Sequence, residues 1–196
     1  NKPYFARIDF KSDTGVEDIC YIGKIGVTNY DNEIIVVDWR APISSLYYDS
    51  SLGKASYVVD GDTIEGILEK KRQYEIENRE LIQFTDVDTV SNDELLKPYL
   101  GVKASERTKN IVSTIQQEQN EIIRSSLFQN RIIQGVAGSG KTTVALHRIA
   151  YLAYRYRDLI RNDQYMVIGP NKFFIQYIST MLPELDVDDV IEYDLL

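Results

Sequence analysis

One cysteine, one histidine, one tryptophan and five prolines occur in 196 residues, and each scarcity removes a class of explanation. A lone Cys20 closes no internal disulfide, and no Cys or His partner stands at metal-ligand spacing, so neither a disulfide scaffold nor a structural zinc is expected. Cys20 reads as core filler. Long apolar runs are missing too: none approaches the roughly 18 residues that span a bilayer. The opening Asn1-Lys2-Pro3-Tyr4 also lacks the basic-then-apolar layout of a secretory signal. No membrane association and a cytoplasmic setting are the expectations. Positive charge is in short supply, with 22 Lys and Arg against 30 Asp and Glu, a formal net charge of -8. Phosphate neutralisation needs clustered Lys and Arg, so this balance weighs against a dedicated nucleic-acid surface without removing a local basic groove.

What is present suffices for one sizeable core, or a core with a smaller satellite, since 43% of the residues are hydrophobic. Residues 1–91 are rich in β-branched and aromatic side chains broken by turn signals, which predicts short strands and hairpins. Asp31-Asn32 separates Ile25-Gly26-Val27-Thr28 from Ile34-Ile35-Val36-Val37, and Asp60-Gly61 separates Tyr57-Val58-Val59 from Thr63-Ile64. Between Lys70 and Phe84 the alternation of Arg72, Tyr74 and Ile76, with Asn78 at a turn, favours strands over a helix. Residues 92–130 form a helical lead-in, in which Ile111, Ile115, Ile122 and Ile123 recur near a 3.6-residue spacing. From 131 onward the order is a short strand (131–134), a glycine loop, a helix (141–157), a strand (165–168) and a helix (172–182). That βαβα order predicts an α/β fold with a parallel sheet. On the helix after the loop, Ala145, Leu146, Ile149, Leu152, Ala153 and Tyr156 spread over much of the circumference, as in a helix packed on a sheet.

Gly135-Val136-Ala137-Gly138-Ser139-Gly140-Lys141-Thr142 fits G-x-x-x-x-G-K-[ST] between an apolar segment and a helix. Glycines let such a loop curl around phosphates with its N–H groups inward, and the helix dipole favours the anion. Lys141 is expected to reach the β- and γ-phosphates as a point charge, and the Thr142 hydroxyl to ligate Mg²⁺, so these two are the catalytic candidates. Thr143 adds a candidate phosphate contact. Many reactions use this loop. A guanine-reading Asn-Lys-x-Asp element is missing, because Asn1-Lys2 runs into Pro3-Tyr4 and Asn171-Lys172 into Phe173-Phe174.

Gln119, sixteen residues before Gly135 and within Thr114-Ile115-Gln116-Gln117-Glu118-Gln119, resembles the adenine-reading glutamine of UvrD/Rep-type superfamily 1 helicases. A glutamine amide both accepts from the exocyclic amine and donates to N7; the plain alternative is a glutamine at a helix cap. Further stretches occur in order along the chain. They are Tyr4-Phe5-Ala6-Arg7-Ile8-Asp9-Phe10, Tyr21-Ile22-Gly23, Asp38-Trp39-Arg40-Ala41-Pro42-Ile43, Ile111-Val112-Ser113-Thr114-Ile115-Gln116, and Gly169-Pro170-Asn171 with Tyr177-Ile178 and Leu182-Pro183. Together they resemble the HelD-type helicase-like proteins that act on bacterial RNA polymerase. The resemblance implies a P-loop NTPase (RecA-like) parallel sheet fragment at 131–196 behind a small β-rich region. It also implies ATP and Mg²⁺ as cofactors and RNA polymerase as partner.

Asn171 and Lys172 fall where true helicases touch a single strand, which keeps single-stranded DNA open as an alternative partner. Trp39 is simplest as a core aromatic, Asp38 with Arg40 as a surface or semi-buried ion pair, and His147 as a packing residue. The 14 tyrosines are scattered rather than interleaved with Lys and Arg. Asp188, Asp189 and Asp194 read as loop or solvent-facing acids, not as the Asp-Glu pair that hydrolysis requires. With that pair and an arginine finger missing, the expectation is an N-terminal fragment that binds ATP while turnover belongs to a longer protein. A non-catalytic interaction module is a further alternative.

Overall fold

The computed structural model describes residues 2–87 and 111–195, so the expected helix over 92–110 lies outside the described residues. Two compact units divide the chain, Asn1–Asn120 and Glu121–Leu196.

The first unit is built on a mixed seven-stranded sheet. Its strands are β1 (Ala6–Ser12), β2 (Glu17–Gly23), β3 (Val27–Thr28), β4 (Ile34–Asp38), β5 (Gly53–Val59), β6 (Asp62–Glu77) and β7 (Glu80–Asp86), with one helical turn, α1 (Ser45–Asp49), between β4 and β5. The spatial order is β3-β4-β2-β1-β6-β5, and all pairings are antiparallel except β2 with β4. The 16-residue β6 organises the sheet: one edge takes β1, and the other takes first β5 and then β7. Local turn chemistry sets both tight hairpins. Asp60-Gly61 has φ of 52° and 97°, and Asn78-Arg79 has 49° and 71°, the double positive φ of a type I′ turn whose twist matches the flanking strands. At the wider β3–β4 connection the Asn29 side-chain oxygen accepts from the Asp31 and Glu33 amides while Asn32 takes a φ of 61°.

Alternation along β1 buries Ala6, Ile8 and Phe10 and turns Arg7, Asp9 and Lys11 to the other face. Opposite them the β1–β6 register slips at Asp9/Phe10, so Lys70 faces Asp9 but Leu68 faces Phe10. A slip of one residue exchanges the faces of a strand. Gly66 and Leu68 are buried before it, Lys71 and Gln73 after it, and two polar side chains thereby enter the core. Gly66 has no room for more: a Cβ there would stand 2.2 Å from the Lys11 carbonyl oxygen.

Lys71 is 1% exposed. Its ammonium donates to the Ser50 carbonyl at 2.7 Å and lies 5.7 Å from the Tyr47 ring centroid. Burial pushes its pKa down from 10.5 to about 8, partly opposed by the Asp49 carboxylate. A lysine with a depressed native pKa binds its proton more tightly in the unfolded chain. Stability attributable to Lys71 therefore rises with pH through the window from about 8 to about 10.5, by on the order of 3 kcal/mol across it. Lys71→Met removes this dependence. In urea unfolding the stability of the parent relative to Lys71→Met is expected to climb between those pH values, and a flat difference would contradict a buried ammonium.

The second unit contains the loop and helix α3 (Lys141–Arg155), followed by β8 (Met166–Gly169), α4 (Lys172–Glu184) and β9 (Ile191–Asp194). Helix α2 (Gln117–Arg124) carries the boundary between the units. β8 and β9 pair in parallel, Met166 opposite Ile191 and Gly169 opposite Asp194, with α4 as the crossover. Asp194 thus closes a strand, half-buried, rather than lying in a loop. Residues 131–134 form no strand, and Ile132 is 92% exposed. The physical reason is the missing ladder: a strand persists only when its N–H and C=O groups are paired, and β8 takes β9 as its partner among the described residues. On α3 the buried residues are Val144, Leu146, His147, Ala150, Leu152 and Ala153, while Ala145, expected inside, is exposed.

Candidate functional site

Helix α3 begins where Gly140 turns the chain left-handed at a φ of 80°, as Gly138 does two residues earlier. Both conformations suit glycine. Gly135 answers a different need, since a Cβ there would stand 2.6 Å from Ser139 Oγ and force that side chain away. The Ser139 amide donates to the Val136 carbonyl at 3.2 Å, folding the middle of the loop into a turn around Ala137 and Gly138. Lys141 then reaches back along the loop, its ammonium donating to the Gly135 and Val136 carbonyls at 2.8 Å each. The residues expected from the motif, Gly135, Val136, Ala137, Gly138, Ser139, Gly140, Lys141, Thr142 and Thr143, thus form one continuous loop and helix start.

Its electrostatics favour an anion. The first intrahelical bond runs from Val144 N–H to the Gly140 carbonyl at 2.8 Å, so the amides ahead of it have no acceptor within the helix. No side chain caps this helix and no acid stands in its first turn. The positive end of the dipole is therefore uncompensated by nearby carboxylates of the helix itself, and Lys141 adds a full charge. Thr142 and Thr143 are half-buried in the first turn, and the Thr143 carbonyl lies 2.8 Å from His147 Nδ1. His147 is 2% exposed, in keeping with a packing role.

Gln119 lies in the first unit and the loop in the second. Its Oε1 accepts from the Gln116 amide at 3.2 Å, the reach-back half of a capping box at the start of α2. The cap alternative is thus satisfied for that oxygen. Asn171, considered as a nucleic-acid contact, also serves as a cap: its side-chain oxygen accepts from the Phe174 amide at 3.0 Å, at the start of α4.

Asp38 and Arg40 are not at the surface. Arg40 Nε and Nη2 donate to the two Asp38 carboxylate oxygens at 2.9 and 2.8 Å, with side chains only 4% and 7% exposed. The same carboxylate accepts the Arg40 amide at 2.8 Å, and Ser44 Oγ donates to the Asp38 carbonyl at 2.7 Å. Trp39 is buried between them in sequence, as expected of a core aromatic. Cys20 is also buried; burial, with Asp18 and Asp9 nearby, pushes its thiol up to about 11 and keeps it protonated at neutral pH.

Sequence reasoning missed Arg148. One guanidinium nitrogen donates to the carbonyls of Ile122, Ile123 and Ser125, and the other to that of Ser126, so this α3 side chain closes the C-terminal end of α2. Burial lowers its pKa. A basic residue at such a distance in sequence carries no local signal of a cap. The turn α1 was missed for the same reason: Asp49 and Asn120, 71 residues apart, meet at 2.7 and 2.8 Å.

Among the described residues no helix is long and apolar enough to cross a membrane. Comparison with curated proteins returns no match. Residues 1–96, which hold the sheet and α1, match the family model described as DNA helicase IV HelD, N-terminal domain, so this part of the chain is similar to that domain.

Proposed function

We propose that the chain is the ATP-binding N-terminal part of a superfamily 1 helicase-like motor ATPase that acts on RNA polymerase. The observation that carries the reading is the uncapped, acid-free start of α3 behind Gly138 and Gly140, with Lys141 folded along the loop. Backbone amides and the lysine ammonium hold the β- and γ-phosphates, the Thr142 hydroxyl ligates Mg²⁺, and Thr143 adds a phosphate contact. Exchange of the Gly135 and Val136 carbonyls for phosphate oxygens leaves Lys141 with charge-assisted bonds in place of neutral ones. Gln119 reads the adenine edge, for which its amide must leave the Gln116 cap. In the RecA-like arrangement proposed for 131–196, the β8–α4–β9 crossover supplies part of the parallel sheet.

A formal net charge of -8 favours a protein partner over a nucleic-acid track. The second reading, translocation on single-stranded DNA, is favoured by the helicase description of the matching family. Steady-state ATP hydrolysis by the full-length protein separates the two. The first reading expects binding to core RNA polymerase and little response of hydrolysis to single-stranded DNA. Strong DNA stimulation without polymerase binding would replace it by the second.

A further inference from the structure

Within the second unit, the hydrogen bonds between the end of α2 and α3 converge on one side chain. One guanidinium nitrogen of Arg148 donates to the carbonyls of Ile122, Ile123 and Ser125 at 2.9, 3.3 and 2.7 Å and to Ser125 Oγ at 2.7 Å. The other donates to the Ser126 carbonyl at 2.9 Å. All of these residues belong to the unit Glu121–Leu196, as does the phosphate loop. Two ring contacts run beside them: the Arg124 guanidinium lies 5.2 Å from the Tyr151 ring centroid, and Phe128 meets Tyr156 edge-on at 6.4 Å. The last turn of α2 and the residues just after it are thereby fastened along α3.

An arginine on the last carbonyls of a helix caps it. Arg148 also closes a ring, because α3 is the helix that the phosphate loop opens. The chain leaves the side of α3 at Ser126 and returns to it at Lys141, and residues 127–140 between them form no helix or strand. Ile132 and Val136 are 92% and 79% exposed, so packing does little to place this stretch and its fastened ends do more. Arg148 follows Lys141 by seven residues, close to two turns, so both side chains leave α3 on the same side. Closing the ring removes conformations in which Gly135 and Val136 swing away from the Lys141 ammonium that they contact.

We propose that Arg148 is a positioning residue for phosphate binding: by tying the end of α2 to α3 it holds the entry to the phosphate loop, so that Gly135 and Val136 face Lys141 before a ligand arrives. The inference rests on the reading of residues 135–143 as a phosphate site. It extends the support of that site to a side chain bonded to carbonyls on the far side of the ring.

Affinities of the 196-residue chain for fluorescent N-methylanthraniloyl-ATP with Mg²⁺ are measured well below the melting temperature of each variant, with magnesium pyrophosphate as competitor. Arg148→Met is expected to weaken both ligands by the same factor, about three- to tenfold, because the loop sees only their phosphates. Arg148→Lys keeps the charge without the two-pronged donation and is expected to fall in between, by about twofold or more. Ile178→Val and Ile178→Ala, at a buried position of α4, loosen the same unit away from the ring and are expected to bind as the parent does while losing stability. If Arg148→Met does not fold, Arg148→Lys carries the comparison. Parental affinity in the Arg148 variants, alongside weakened binding in Lys141→Ala, overturns the positioning role alone. Equal weakening in the Ile178 variants, or a loss confined to the ATP derivative with pyrophosphate unaffected, overturns it too. Parental affinity in Lys141→Ala, or no binding by the parent, overturns the phosphate-site reading and the positioning role together.

Discussion

Lys141→Ala is expected to weaken binding of Mg-ATP to this chain by about 10- to 100-fold, the worth of a charge-assisted contact in a preformed anion site. The side chain is half-buried and its bonds are to Gly135 and Val136 carbonyls that water can reach. Folding should therefore survive the change, with a melting temperature close to the parent's. The amides at the start of α3 remain after substitution, so residual binding is expected rather than none. Lys141→Arg should restore less than the charge alone suggests, because a planar fork does not fit a site that reaches phosphate as a point charge. Labelled-ATP retention measures all three proteins. Equal retention by parent and Lys141→Ala would remove the phosphate-loop assignment.

The largest effect on stability is expected at the Asp38–Arg40 pair. With side chains 7% and 4% exposed, the two groups depend on each other for solvation. Arg40→Met leaves the Asp38 carboxylate buried without its guanidinium, at a cost of about 3–5 kcal/mol in urea unfolding. Removing both charges, as in Asp38→Leu with Arg40→Met, should recover much of that loss, since an apolar pair of similar volume carries no desolvation penalty. An Arg40→Met chain as stable as the parent would show that the carboxylate finds water.

Features governed by neighbours in sequence were the legible ones. Asp60-Gly61 and Asn78 announce their turns because few residues tolerate a positive φ, and the strands follow from the alternation between them. The glycine loop is legible for the same reason, its spacing and its glycines being local requirements. Partnerships across the chain were not. Residues 131–134 are apolar enough for a strand, but a strand exists only with a ladder partner, which no single segment reveals. The slip at Asp9/Phe10 moves Lys71 and Gln73 inward against every expectation for their side chains, and only the pairing with β1 shows it. Asp38 and Arg40 read as a surface or semi-buried pair because charged residues are seldom fully enclosed; here both are buried and paired with each other. Gln119 illustrates a residue with two legible roles, of which the cap is formed by its own neighbours.

The most direct measurement for the central claim, adenine-nucleotide binding by the loop and Gln119, is calorimetric titration of the 196-residue chain with Mg-ATP and, separately, Mg-GTP. A single site for Mg-ATP, with clearly weaker binding of Mg-GTP, is the predicted result. Binding of neither nucleotide, or equal binding of both, would contradict the account.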